Sequence, residues 1–203
     1  MKVPFKLFIG VVSQAGLAIC RGIKMKILIV NNYDAKKLPP VINLINALIA
    51  NGHNVTIISY DTSKILQRYE GIIKVITLRW PVFDNWLYRK VIFLLNRFIM
   101  RSSAGREMKK CDYLWSTTDK TLRELGNMVF QYRYIMQLQE LVKDVQYAGL
   151  RKLPFRYSLK KYARRAYKIV VPEYNRAHFL KIWFKLDELP SVGQGLERES
   201  CCY

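Results

Sequence analysis

The sequence predicts an α/β fold in which a doubly wound parallel sheet carries helices on both faces. Three observations predict it. Continuous apolar runs such as Lys26-Ile27-Leu28-Ile29-Val30 have the composition of strands buried on both sides, not the alternation of a half-exposed sheet. Segments with helical apolar spacing separate those runs. At 203 residues the chain suits one such domain with a self-supporting core and is too short for two.

Residues 1–24 read as a leader or a mis-assigned start. Lys2 and Lys6 precede the apolar run Leu7 to Val12, but Ser13 and Gln14 break it short of a secretory core and of the roughly 20 residues a spanning helix needs. Leu17-Ala18-Ile19-Cys20 approaches a lipoprotein site, with bulky Ile19 where a small residue is wanted. The expectation is that translation begins at Met25, directly before the first strand.

From Met25 the pattern is regular. Strand one is 26–30, with turn formers Asn31-Asn32 behind it. A helix follows, entered through Pro39-Pro40, carrying Val41, Leu44, Ile45 and Leu48 on one side and ended by Asn51-Gly52. Strands are expected at 55–60, 75–78 and 111–116, with a long apolar and basic stretch from Asp84 to Arg101 before the last of these. A helix follows Thr118; residues 128–142 are ambiguous between helix and strand. A helix over 159–167, a fifth strand over 168–171 ending at Pro172, and a helix from about Asn175 to Leu186 complete the domain.

Composition narrows the function. Hydrophobic residues at 51% and charged residues at 24% describe an ordered chain. The excess of 34 Lys+Arg over 15 Asp+Glu, a net +19, calls for an anionic partner. The four cysteines, Cys20, Cys111, Cys201 and Cys202, form no CxxC pair, and His53 and His178 stand far apart, so neither a metal site nor a disulfide framework is expected. No glycine lies between Gly22 and Gly52, which excludes a GxGxxG turn after strand one, and no GxxxxGK[ST] loop occurs.

Two stretches carry a resemblance. Lys26 to Asn31, followed by Asn51-Gly52-His53-Asn54-Val55-Thr56-Ile57-Ile58, resembles the opening of the N-terminal domain of retaining GT-B glycosyltransferases, in which a Gly-His, polar, Val-Thr phrase joins the first helix to the second strand. Ala166-Tyr167-Lys168-Ile169-Val170-Val171-Pro172-Glu173-Tyr174-Asn175-Arg176-Ala177 is similar to that family's last N-domain strand and following helix, and Gln139-Glu140-Leu141 to the acidic position after the preceding strand. The resemblance spans 25–192. It implies a Rossmann-like single GT-B half, the acceptor-side domain of a family-4-like, bacterial polysaccharide-type enzyme. Such an enzyme uses a nucleotide sugar as co-substrate, a lipid-linked or saccharide acceptor, and no bound cofactor. The family's paired donor-site glutamates belong to its second domain, and Glu197 and Glu199 are too close together to replace them. A departure follows Val192, where Gly193 to Tyr203 replaces the expected linker; a truncation or frame change is the expectation, with a catalytically inactive remnant as the alternative.

Candidate cleft residues follow from the rule that doubly wound sheets bind ligands outside the C-terminal ends of their strands. Asn31, Asn32 and Asp34 follow strand one and serve either the cleft or a simple turn. Thr117 and Asp119 follow the 111–116 strand, where Thr118 or Asp119 can equally cap the next helix. Glu140, Glu173 and Arg176 lie after the later strands and fit a cleft edge, with an ion pair or a helix cap as the competing role of Glu173. No catalytic residue is assigned, and both histidines read as structural.

Two segments suggest an anionic membrane surface. Residues 86–101 place Trp86 and a broad apolar face between Arg89, Lys90, Arg97 and Arg101, as in helices lying in a lipid interface, unless the face is core. The run from Arg151 to Lys168 includes Lys160, Lys161, Arg164 and Arg165 and contains no acid. Tyr157, Tyr162 and Tyr167 interleave with these charges as on a nucleic-acid surface, but no recognised binding module contains the stretch, so the nucleic-acid reading ranks below a peripheral position on the cytoplasmic face of a membrane.

Overall fold

The computed structural model describes residues 24–34, 39–60, 69, 71–78, 86–139 and 158–192. Residues 1–23, Glu140 and the tail 193–203 lie outside the described residues, as do the side chains of Asp34 and Arg89.

β1 (Lys26–Asp34) is the centre of the sheet. Ile27, Leu28, Ile29 and Val30 are all fully buried, because the strand is covered on both faces. It pairs in parallel with β2 (Asn54–Tyr60), Ile27 opposite Val55, and with β4 (Tyr113–Ser116), Ile27 opposite Tyr113. The strand continues through the expected turn at Asn31-Asn32 to Asp34, and its register with β2 shifts between Val30 and Asp34. With β3 (Lys74–Leu78), β5 (Tyr134–Gln137), β6 (Lys168–Val171) and β7 (Ser191–Val192), the described strands form one parallel sheet in the order β3-β2-β1-β4-β5-β6-β7.

Period-2 alternation sorts the strand side chains between two cores. Ile27, Ile29, Ile57, Trp115 and Ile135 pack with Val41, Leu44, Ile45 and Leu48 of α1 (Pro39–Ala50) on one face. Leu28, Val30, Ile58, Leu114, Met136 and Ile169 point the other way. They meet α2 (Trp86–Met108), α3 (Asp119–Leu125), α4 (Leu159–Arg165) and α5 (Tyr174–Phe184). The expected doubly wound architecture, with helices on both faces, is therefore the observed one.

Local chemistry sets the helix ends. Asn51-Gly52 closes α1 as expected: Gly52 adopts φ +75, and its N–H and that of His53 reach back to Ile49 O (2.8 Å) and Leu48 O (3.0 Å). Thr118 caps α3, its hydroxyl accepting from Thr121 N at 3.2 Å, so of the two capping candidates Thr118 takes the role and Asp119 begins the helix. The ambiguous 128–142 stretch contains the end of a 3-10 helix (Gly126–Gln131) and β5. Met128, Val129 and Phe130 serve the former and Tyr134, Ile135 and Met136 the latter, too few in each to establish a period.

α2 runs antiparallel to the strands and is anchored at both edges of the sheet. Near its C-terminus Glu107 accepts from Lys74 Nζ at 2.7 Å, at the start of β3; Asn96 hydrogen-bonds Tyr60, at the end of β2. Residues 86–95 lie beyond the Asn96 anchor, a length of about 15 Å at 1.5 Å per residue, and most of them are exposed. Between the anchors, Met100, Ala104 and Met108 are core.

The hydrogen bond from Lys74, reinforced by its charge and those of Lys110 and Arg106, holds the Glu107 carboxyl below its ordinary value of 4.5 against the opposing effect of burial. The folded pKa is the lower one, so the contribution is present above the unfolded value and is lost as pH falls through the folded one. With Lys74 55% exposed it amounts to about 1 kcal/mol or less. Urea unfolding at pH 7 and pH 3 should show the native chain losing that much more stability than Glu107→Gln.

Candidate functional site

The winding of the sheet reverses between β1 and β4, which are adjacent in space but separated in sequence by α1, β2, β3 and α2. At such a point the loops leave in opposite directions and a crevice opens outside the strand ends. Asn31, Asn32, Thr117 and Asp119 converge there.

Asn31 and Thr117 are fully buried and joined to each other. Thr117 Oγ1 donates to Asn31 Oδ1 at 2.9 Å, Asn31 Nδ2 donates to Ser59 Oγ at 3.1 Å, and Thr117 N–H reaches Val30 O at 3.3 Å. This network ties the ends of β1, β2 and β4 together beneath the crevice. Above it, Asn32 N–H donates to Thr121 Oγ1 at 3.3 Å and half-buried Asp119 occupies the first turn of α3. The backbone of Asp34 pairs with Tyr60. Burial raises the phenol pKa of Tyr60, against the hydrogen bond from Asn96 and with help from Glu124, so it stays a neutral donor at physiological pH.

A second group lies at the ends of β5 and β6. Arg176 Nε contacts Glu173 Oε2 at 3.2 Å, and its Nη1 donates to the backbone carbonyl of Gln139. The ion pair expected as Glu173's competing role is thus made; Glu173 precedes α5 without capping it through its side chain. Among the described residues, the edge offers hydroxyls, amides, the carboxylates of Asp119 and Glu173 and the Arg176 guanidinium, donors and acceptors suited to a polyhydroxylated ligand. Among the described residues no group of His, Cys, Asp or Glu could hold a metal ion.

The outer face of α2 is unusual. Leu87, Val91, Leu94 and Phe98 follow helical spacing on the side away from the sheet and are 56%, 55%, 62% and 70% exposed. Core packing is thus corrected as the role of this face: the core contacts begin only at Asn96 and Met100. Trp86 is exposed with Lys90 Nζ 4.1 Å from its ring. Arg97 departs from the expected lipid-facing position, because its Nε lies 3.0 Å from Oε2 of buried Glu124, where it helps join α2 to α3. Among the described residues, no helix is long and apolar enough to cross a membrane.

Of the cationic run, Lys161 and Arg165 lie over the Phe130 ring at 5.2 and 4.7 Å, while Lys160 and Arg164 border a cavity on the same side of the sheet as α4. His53 lies at the opposite, N-terminal edge, accepting from Met25 N–H at 3.5 Å, and its pKa is lowered by burial. His178 meets Tyr174 edge-on at 4.5 Å. Sequence reasoning missed Ser59 and Thr121. Ser59 is the small polar break in an otherwise apolar strand, and Thr121 stands at the N3 spacing from Thr118, the signals that could have found them.

The arrangement is that of one half of a GT-B fold. It is similar to Arabidopsis thaliana UGT89C1 complexed with UDP-L-rhamnose, with a TM-score of 0.57 and 14% identity over 88% of this chain and 54% of that one. The same enzyme complexed with UDP gives 0.55 and 13%, over 86% and 53%. Glycyrrhiza uralensis UGT73P12, complexed with glycyrrhetinic acid 3-O-monoglucuronide, gives 0.51 and 10%, over 81% and 48%. The chain spans about half the length of these structures, and at such identities the likeness establishes the fold. No family model matches the sequence, and no curated protein matches it.

Asn31→Ala removes the partner of two buried hydroxyls and should destabilise the domain by about 1–3 kcal/mol in urea unfolding. Asn32→Ala, at the half-buried rim, should cost less than about 1 kcal/mol. Equal costs would show that the two asparagines do not differ as floor and rim.

Proposed function

We propose that residues 25–192 form the acceptor-side domain of a retaining, family-4-like bacterial glycosyltransferase that extends a cell-envelope polysaccharide or lipid-linked saccharide. The observation that carries this reading is the hydroxyl- and amide-lined edge at the winding reversal of a fold shared with one half of sugar-transferring enzymes. The family-4-like assignment is supported by the Gly52-His53-Asn54-Val55-Thr56 turn and by Ala166 to Ala177.

In this reading Asn31 and Thr117 hold the floor, while Asn32, Asp34, Asp119, Glu140, Glu173 and Arg176 border the acceptor. An acceptor hydroxyl attacks the anomeric carbon of a nucleotide sugar, and the nucleoside diphosphate leaves with its negative charge. Arg176 brings positive charge to this edge, and a second, donor-binding domain holds most of the nucleotide. The neighbours complexed with UDP and UDP-L-rhamnose support a nucleotide-sugar donor.

The same reading places the domain peripherally on the cytoplasmic face of a membrane. The outward Leu87–Val91–Leu94–Phe98 stripe, flanked by Lys90 on a chain of net charge +19, suits insertion among anionic headgroups beside the acceptor edge.

Titration of the 203-residue chain tests the assignment. A polyprenyl-diphosphate-linked saccharide in micelles should bind saturably, and Asn32→Ala combined with Asp119→Ala should weaken it about tenfold, the loss of one or two hydrogen bonds. UDP-sugars should bind more weakly than about 1 mM. Tight UDP-sugar binding with no glycolipid binding would reverse the side assigned to this domain.

For the membrane, co-sedimentation with phosphatidylglycerol vesicles should fall at least about tenfold in the variant combining Val91→Glu and Leu94→Glu, with its circular dichroism unchanged. Undiminished sedimentation would remove α2 from the interface.

A further inference from the structure

We propose that a cavity beside the start of β6, away from the acceptor edge, binds a phosphate-bearing ligand. Its volume is about 770 Å³, within the range of small-molecule sites. It opens where α4 ends, β6 begins and the segment from α5 to β7 passes. Lys160, Lys161, Arg164, Arg165, Lys168 and Lys185 line it, against Asp187 and Glu188 as acids. Lys168 and Glu188 satisfy each other at 2.8 Å, leaving the cavity with a clear excess of positive charge.

Three features distinguish it from a solvated basic face. It is a depression bordered by six cationic residues, so a ligand seated in it meets their summed positive field. Two of them are held in place, Lys161 and Arg165 by the Phe130 ring, which lowers the ordering cost of binding. Finally, Lys185 adopts φ 52 and ψ 59, the left-handed position normally taken by glycine after a helix. It is the one non-glycine residue among the described residues with a positive φ, and it turns the chain into the 186–190 wall. A side chain retained at a position where a Cβ is penalised, and bordering a cationic cavity, is a reason to assign that side chain to a ligand.

Diphosphate and phosphate monoester groups fit this chemistry, because several fixed ammonium and guanidinium groups can share their charge and multiple acceptor oxygens. The group can arrive on a soluble molecule or on a lipid headgroup. The site is independent of the acceptor edge and does not rest on glycosyl transfer.

Calorimetric titration of the full chain with inorganic pyrophosphate at low salt tests it. Saturable binding of one equivalent is expected, weakening as salt screens the charges. Lys185→Gly removes the charge and places glycine where the backbone favours it, so the fold should be retained or stabilised while affinity drops about tenfold. Arg164→Gln should act similarly, whereas Lys109→Gln, outside the cavity, should leave binding unchanged.

The source of the phosphate is read from vesicles containing phosphatidic acid, whose headgroup is a phosphate monoester. Vesicle binding displaced by pyrophosphate and lost in Lys185→Gly identifies a lipid-borne group; pyrophosphate binding sensitive to Lys185→Gly, with vesicle binding insensitive to it, identifies a soluble one. Absence of saturable pyrophosphate binding would overturn the site, as would binding that all three substitutions weaken equally, the signature of diffuse charge.

Discussion

The double pairing of β1 is the constraint on which the rest of the structure depends. A central parallel strand must have its backbone groups paired on both edges and its side chains covered on both faces. β1 meets the first demand with β2 and β4, and the second with α1 on one side and α2 and α3 on the other. Because β4 lies beside β1 and not beside β3, the winding must reverse at that junction. The crevice is a consequence of this choice, and the buried Asn31–Thr117–Ser59 network is what allows three polar strand ends to meet beneath it.

α2 obeys a different constraint. Its 23 residues exceed what is needed to cross the sheet, and its two anchors fix which part is surplus. Since the Glu107 anchor lies at the N-terminal edge and the Asn96 anchor at the C-terminal edge, the excess falls beside the crevice. A helix that packed its apolar residues inward throughout would show an amphipathic pattern of the usual sense. Here the N-terminal half carries exposed apolar residues, and the buried Glu124, contacted by Arg97 and Arg123, holds the helix to α3 just behind that point. The C-terminal edge of the sheet thus has a polar floor, while the cationic cavity lies near the other end of the sheet.

Much of the architecture was legible because buried parallel strands and amphipathic helices write themselves as local patterns. The runs 26–30, 55–60 and 168–171 and the helix around Val41, Leu44, Ile45 and Leu48 fell in place to within a few residues. β5 was obscured by the apolar residues of the preceding 3-10 turn, and β7 is too short, at two residues, to have a period at all. Of the candidate residues, the ends of β1 and β4 were legible from the strand-end rule, since chain direction alone says where each strand finishes. Their division into buried floor and half-buried rim was not, because both Asn31 and Asn32 look alike in sequence and differ only in what covers them.

By itself, then, the sequence determined the α/β class, the positions of most strands and helices, the strong positive charge and the polar character of the strand ends, all properties carried by composition and short-range spacing. Tertiary structure decided the strand order, the union of Asn31, Ser59 and Thr117 across as many as 86 positions, the outward exposure of the α2 stripe and the gathering of Lys160, Arg164 and Lys185 along one cavity. The physical reason is that burial, partner choice and concavity arise only when distant segments pack, and the same apolar or basic run serves a core, a surface or a pocket according to what packs against it.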